Sequence, residues 1–197
     1  MYKRQIISLS LGGEQNQEAS REGATVSATR QALDLGIYVV AAAGNDGGSS
    51  DDGYVSAPGN VPLAITVGAS DRFNEVWSKS SSGEQVDSEG NLRIYPNQKP
   101  ELTAPGVSIV STGTNDQWFS SSGTSDATVF VAGALALILE EHPELKRTNE
   151  SGTDCIQLVK SSLASSLSPD MEHDSRKGYG VLDAKAWMES IPSTIDC

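Results

Sequence analysis

Short strand-like runs punctuate the chain at Gln5–Leu9, Ile37–Ala43 and Ala64–Gly68, the second wholly apolar and the third read as the next buried strand. Unbroken apolar runs of that length suit strands covered on both faces. Between the first two, Ala24, Ala28, Ala32 and Leu35 recur at helical spacing within a segment starting at Glu18, and Gly36 closes it. Ile109–Ser111 reads as a short strand ahead of the longest apolar run, and Asp154–Leu163 and Asp183–Met188 read as further helices. Residues 71–100 are polar and irregular and predict no element. Strand, helix, strand, loop, strand, helix is the order of an α/β fold with a parallel sheet and crossover helices. In such sheets, sites form at the carboxyl ends of the strands. The turns Ser10-Leu11-Gly12-Gly13 and Ala43-Gly44-Asn45 both follow strands, so both fall on that edge.

The longest apolar run begins abruptly after Ser121-Ser122-Gly123-Thr124-Ser125-Asp126 and continues to about Glu141. Thr124 or Ser125 suits the N-cap of this helix, and a segment apolar on every side predicts a helix in the middle of the protein. A serine at such a helix start lies in a positive local field that favours developing negative charge, a good setting for a nucleophile. A plain helix cap is the bland reading of an isolated Gly-Thr-Ser.

Composition narrows the partners. A net charge of −12 without a Lys/Arg stripe disfavours nucleic acid and anionic membranes. The apolar run Val129–Leu139 is too short to span a bilayer. No signal peptide follows Met1, which says little if the chain begins in mid-protein. Cys155 and Cys197 lack Cys-x-x-Cys spacing, so no metal site is expected, and two free thiols are the expectation because one is the last residue. Asp46, Asp51 and Asp52 lack the spacing of a calcium loop. Asn149-Glu150-Ser151 fits the short glycosylation pattern.

Gly123-Thr124-Ser125, followed by Val131-Ala132-Gly133, resembles the nucleophile segment of the subtilisin-like serine peptidases. Five further segments resemble that family in the same order: Ser10-Leu11-Gly12-Gly13, Ala42-Ala43-Gly44-Asn45, Ala57-Pro58-Gly59, Lys99–Val107 and Gly178–Ala184. The resemblance implies a three-layer α/β/α fold with residues 1–197 forming the C-terminal part of one peptidase domain, its N-terminal strands missing. It implies Ser125 as nucleophile and Asn45 as oxyanion donor, with a cis-proline at Pro58. It places Ser10, Leu11, Gly12, Gly13, Ala43, Gly44, Gly123 and Thr124 against a peptide or protein substrate. No cofactor is called for, although the family leaves room for structural calcium, and Asp71 matches a position near a weak cation site. Extracellular location follows from resemblance alone.

A serine nucleophile needs a base, and the base a carboxylate to orient it. The family's Asp-[Ser/Thr]-Gly and His-Gly-Thr segments do not occur here. His142 lies about 25 Å from Ser125 along the helix at 1.5 Å per residue, and His173 belongs to a loop that the family places away from the site. Neither is assigned as base. The missing half, or another chain, is expected at the Ile6–Leu9 strand, which should be an unpaired edge. Asp126 stands where the family usually has an uncharged residue, and Val129-Phe130 replaces the common Pro-His pair. Asn45, where the sedolisin-like relatives carry Asp, favours the subtilisin-like branch. Two readings remain: a peptidase completed by upstream sequence, and a non-catalytic peptide-binding or scaffold domain.

Overall fold

The computed structural model describes residues 4–12, 23–48, 54–83, 85–86, 90–148, 152–195 and 197. Its centre is a four-stranded parallel sheet in the order β1 (Ile6–Leu9), β2 (Tyr38–Ala42), β3 (Ile65–Ser70) and β4 (Leu102–Pro105). Every residue of β2 and β3 is buried, which requires cover on both faces and accounts for their unalternating apolar sequence. The α1 helix (Ala24–Asp34) connects β1 to β2, and residues 18–22 of the expected helix lie outside the described residues. Gly36, at φ 73°, ends it in the left-handed conformation, as its sequence position predicts.

Helix α2 (Thr124–Glu141) packs against all four strands. Two expectations for this region need correction. Its N-cap is Gly123, with no side-chain cap, and Thr124 and Ser125 already belong to the first turn. Nor is α2 buried all round. Val131, Ala134, Leu135, Ile138 and Leu139 are in the core, but Val129, Phe130 and Leu137 are 54%, 42% and 57% exposed. With exposed Gly133 and Ala136, they form an apolar stripe at helical spacing that nothing described covers. The strand expected before α2 is present as β5 (Ile109–Thr112), which pairs antiparallel with β6 (Trp118–Ser121) as a separate hairpin. The β4 strand was hidden because Pro100 and Pro105 flank so short an apolar run.

Two helices follow, α3 (Asp154–Leu167) and α4 (Ala184–Ser190), which pack on each other, with α4 also against α2. Asp183 is the N-cap of α4, its side chain accepting from the Ala186 amide, so that helix starts later and runs further than expected. Trp187, fully buried, donates its indole N–H to the Val159 carbonyl and locks α4 on α3. Cys155 and Cys197 are joined in a disulfide with Cα atoms 5.0 Å apart, which corrects the free-thiol expectation. The chain's last residue folds back onto the first turn of α3, and sequence separation carried no trace of that approach.

As expected, β1 is a sheet edge. It pairs with β2 on one side, and no described strand lies on the other. Helix α2 packs against β1, so the unpaired edge and the apolar stripe belong to neighbouring elements.

Candidate active site

The carboxyl ends of β1 and β2 and the start of α2 meet at one rim. The Ser10 hydroxyl, just past β1, donates to the Ser125 carbonyl over 3.3 Å. Gly44, just past β2, donates its N–H to Thr124 Oγ1 over 3.1 Å. Thr124 Oγ1 in turn donates to Asn45 Oδ1 (3.0 Å), and the Thr124 amide donates to the same oxygen (2.9 Å). Thr124 is 1% exposed and serves as a two-way clamp between β2 and α2, a role no sequence pattern signalled.

This clamp fixes the orientation of Asn45. Its oxygen accepts twice, both times from Thr124, and its Nδ2 lies 3.5 Å from the position a Cβ would take on Gly123. Asn45 is itself exposed, and no described residue accepts from that NH2. Partly buried Ser125 stands in the first turn of α2, where backbone N–H groups lack helical partners. The Thr124, Asp126 and Ala127 amides are already engaged, the first by Asn45 Oδ1 and the other two by the Gly123 carbonyl, which leaves the Ser125 N–H with the Asn45 NH2 as the donors of the kind that stabilise an oxyanion on a carbonyl attacked by a hydroxyl.

Close backbone contacts shape the surroundings. A Cβ on Gly12 would fall 2.8 Å from Ser56 Cβ, so the segment after β1 runs tightly against the loop before β3. Gly44, at φ +114°, needs the freedom of glycine, and a Cβ there would meet the hydroxyls of Ser56 and Ser81 at 2.8 Å. Ala57–Pro58 is cis, in agreement with the expectation for that turn. Leu11 is half exposed beside the cleft, Ala43 is fully buried beneath it, and Gly13 lies outside the described residues. Ser56 and Ser81 are additional wall residues; Ser81 sits in the polar stretch that predicted nothing, and its hydroxyl accepts from the Asp46 amide.

Asp126 does not face the site unpartnered. Its Oδ1 accepts from the Ser121 hydroxyl of β6, while Oδ2 lies 3.6 Å from the Gly123 Cβ position. Asp71 organises its own turn, accepting from the amides of Phe73 and Glu75. Among the described residues no group of three or more His, Cys, Asp or Glu side chains gathers as metal ligands, and no helix is long and apolar enough to cross a membrane. Asp51, Asp52 and Asn149–Ser151 lie outside the described residues.

Both histidines stand apart from Ser125. His142 caps the far end of α2 and faces Glu144 at 3.5 Å. His173 lies at the opposite end of β4, where its Nε2 bonds the Pro100 carbonyl and its ring packs edge-on against Tyr179. Burial holds its pKa below the ordinary histidine value.

An α/β parallel sheet with a serine in the first turn of its central helix, faced by a clamped asparagine, is the arrangement that the comparisons can now place in a family. The model of the subtilase family (Peptidase S8) matches residues 2–180, and the chain belongs to that family. It is 37% identical over 162 residues to subtilisin of Bacillus pumilus, covering 82% of this chain and 51% of that one. It is 36% identical over 162 residues to subtilisin E of Bacillus subtilis (strain 168), covering 82% and 37%. The solved structure of the prenylagaramide maturation protease PagA superposes with a TM-score of 0.71 at 26% identity, covering 96% of this chain and 62% of that one. The chain thus spans about half or less of the length of the two subtilisins.

Proposed function

We propose that this chain is the nucleophile-bearing part of a serine endopeptidase that hydrolyses peptide bonds through an acyl-enzyme. Ser125 attacks the carbonyl, and Asn45 Nδ2 with the backbone N–H of Ser125 receives the oxyanion. The observation that carries this reading is the double capture of Asn45 Oδ1 by Thr124, which leaves the NH2 group free beside the serine. Ser10, Leu11, Gly12, Ala43, Gly44, Gly123 and Thr124 line the substrate path. With neither histidine near Ser125, the base and its orienting carboxylate come from a polypeptide absent from this chain, the N-terminal half of the domain. That half joins at β1 and covers the α2 stripe. By itself the chain does not turn over substrate.

Labelling by a fluorophosphonate probe, with Ser125→Ala as control, tests this. The 197-residue chain alone is expected to stay unlabelled, and the chain extended by upstream residues that carry His and Asp to label at Ser125. Labelling of the chain alone that disappears in Ser125→Ala would refute the incomplete-triad reading. Absence of labelling in the extended protein would leave a non-catalytic scaffold instead.

A further inference from the structure

Beyond Ser125 the site runs into the β5–β6 hairpin, which is fastened to the start of α2 at three points. Ser122 Oγ accepts from the Ser108 amide over 2.8 Å, and the Gly106 carbonyl accepts from the Gly123 amide over 2.8 Å. The third is the Ser121 hydroxyl, which donates to Asp126 Oδ1 and leaves Oδ2 open. Among the described residues neither a donor nor a cation reaches that second oxygen. Asn45 Nδ2 and Asp126 Oδ2 lie 3.5 and 3.6 Å from one point, the Cβ position of Gly123, and so at most about 7 Å apart. A carboxylate charge that close to an oxyanion donor opposes the charge the reaction builds there. A substrate cation resting on Oδ2 removes the opposition.

Strand alternation carries the site outward. Ser121 turns its hydroxyl to Asp126, so Phe119, two residues back along β6, projects on the same face, opposite Ser111. Phe119 is 57% exposed and stands about 7 Å along the strand from Ser121. Trp118 and Val110 belong to the reverse face. An extended peptide repeats its side chains on one face at the same two-residue interval. Resting on the peptidase reading, we propose that this face of the hairpin is the outer part of the substrate site. It selects a protein segment that sets a lysine or arginine on Asp126 Oδ2 and an apolar side chain, two residues further from the scissile bond, on Phe119. The occupant is substrate because the hairpin is continuous with the segment that carries Ser125. The chain's net charge of −12 draws the same basic segments towards it.

Binding is read on Ser125→Ala in the chain extended upstream, which holds peptide without turnover, so the result does not depend on a working triad. Fluorescent polyalanine peptides carry Lys-Ala-Leu, Glu-Ala-Leu or Lys-Ala-Ser in the middle, each also made in the reversed order. In one of the two orders, anisotropy is expected to give a Kd about 10–100-fold lower for lysine than for glutamate, the size of a unit-charge interaction at about 7 Å and an effective dielectric of 20. Asp126→Asn, which keeps the shape of the side chain, is expected to remove that preference and Asp126→Lys to reverse it. Phe119→Ser is expected to weaken the leucine peptides about 3–10-fold and to spare the serine ones, whereas Trp118→Ser changes neither. A lysine preference that survives both Asp126 variants, equal effects of Trp118→Ser and Phe119→Ser, or no binding of any peptide overturns the proposal. Fluorophosphonate labelling of Ser125 checks the peptidase reading separately, since that probe contains no peptide. Labelling without a lysine preference overturns this proposal alone, and the preference without labelling upholds the peptide site on a non-catalytic scaffold.

Discussion

Joining Cys155 to Cys197 closes a loop of sequence separation 42 that holds α4 and all of α3 but its first residue. In the chain-entropy description, removing a cross-link over a loop of that length returns about 4 kcal/mol of conformational freedom to the unfolded chain. For a chain of this size, each kcal/mol moves the melting midpoint by about 2–4 °C, so reduction is expected to lower it by about 8–16 °C. The assay is thermal unfolding with and without a thiol reductant, alongside Cys155→Ala/Cys197→Ala. The reduced wild type and the double variant should melt together, well below the oxidised chain, and the native oxidised chain should present no titratable thiol. Equal midpoints in oxidising and reducing buffer, with two thiols titrating in the folded chain, would refute the reasoning. It would also detach the chain's last residue from α3.

Further outcomes follow from the site and the core. In the completed peptidase, Asn45→Ala is expected to lower kcat by about 10²–10³-fold with little change in KM. That range comes in part from a subtilisin and is carried over rather than worked from this geometry; an unchanged kcat would remove Asn45 from the oxyanion site. Phe130→Glu and Leu137→Lys change exposed positions, so each should alter the stability of the isolated chain by less than about 0.5 kcal/mol. Both should nevertheless abolish Ser125 labelling in the extended protein, and labelling at the wild-type level would free the α2 stripe of its assigned role. Glu101→Ala leaves the buried ammonium groups of Lys99 and Lys160 without their carboxylate and is expected to cost about 3–5 kcal/mol in urea unfolding, more than Lys160→Met, which leaves Glu101 paired with Lys99. The reverse order would contradict the pairing.

The same lysines set a pH dependence. Burial, the largest cause, lowers both pKa values, Lys99 well below the ordinary 10.5, so the unfolded chain binds more protons than the folded one beneath that value. Stability therefore rises with pH from the folded-state lysine pKa values up to about 10.5. Burial pushes the phenols of Tyr38 and Tyr179 upward, so the unfolded chain loses those protons first, and above about 10 they oppose the rise. Urea midpoints measured across the alkaline range should climb in wild type and climb less in Lys160→Met. Equal slopes would exclude Lys160 as a contributor.

The parallel sheet was legible because β2 and β3 are buried on both faces, which leaves an unbroken apolar signature, and because Gly36 stops α1 where the pattern does. Ser125 and Asn45 were legible as local segments at strand and helix ends. The cap of α2 was misplaced because hydroxyl residues favour N-caps in general, whereas here the Thr124 hydroxyl is committed across space to Gly44 and Asn45. The apolar run of α2 suggested burial on every side because composition cannot tell a face packed on this sheet from a face left open. The Cys155–Cys197 bridge joins side-chain sulfurs 42 positions apart, and Lys160 meets Glu101, Asn97 and the carbonyls of Pro62 and Ala64 across the fold, approaches that leave no mark in local sequence. Residues 71–100 read as featureless, yet they hold Ser81 at the cleft and Lys99 in the core.

Two glycines at the rim have no room to become anything else. A Cβ on Gly12 would strike Ser56, and one on Gly106 would strike Ala69 Cβ at 2.7 Å and the Gly123 carbonyl at 2.8 Å. At Gly106 the obstacle includes the Gly123 carbonyl, and at both positions it includes a Cβ held by its own backbone, which cannot yield as the far end of a flexible side chain can. Diversification of this cleft among descendants must therefore pass through the neighbours whose side chains can be exchanged, Ser56 on one wall and Asp126 on the other. A lineage that changes its preferred peptide would record the change at those two positions while the glycines between them stand still.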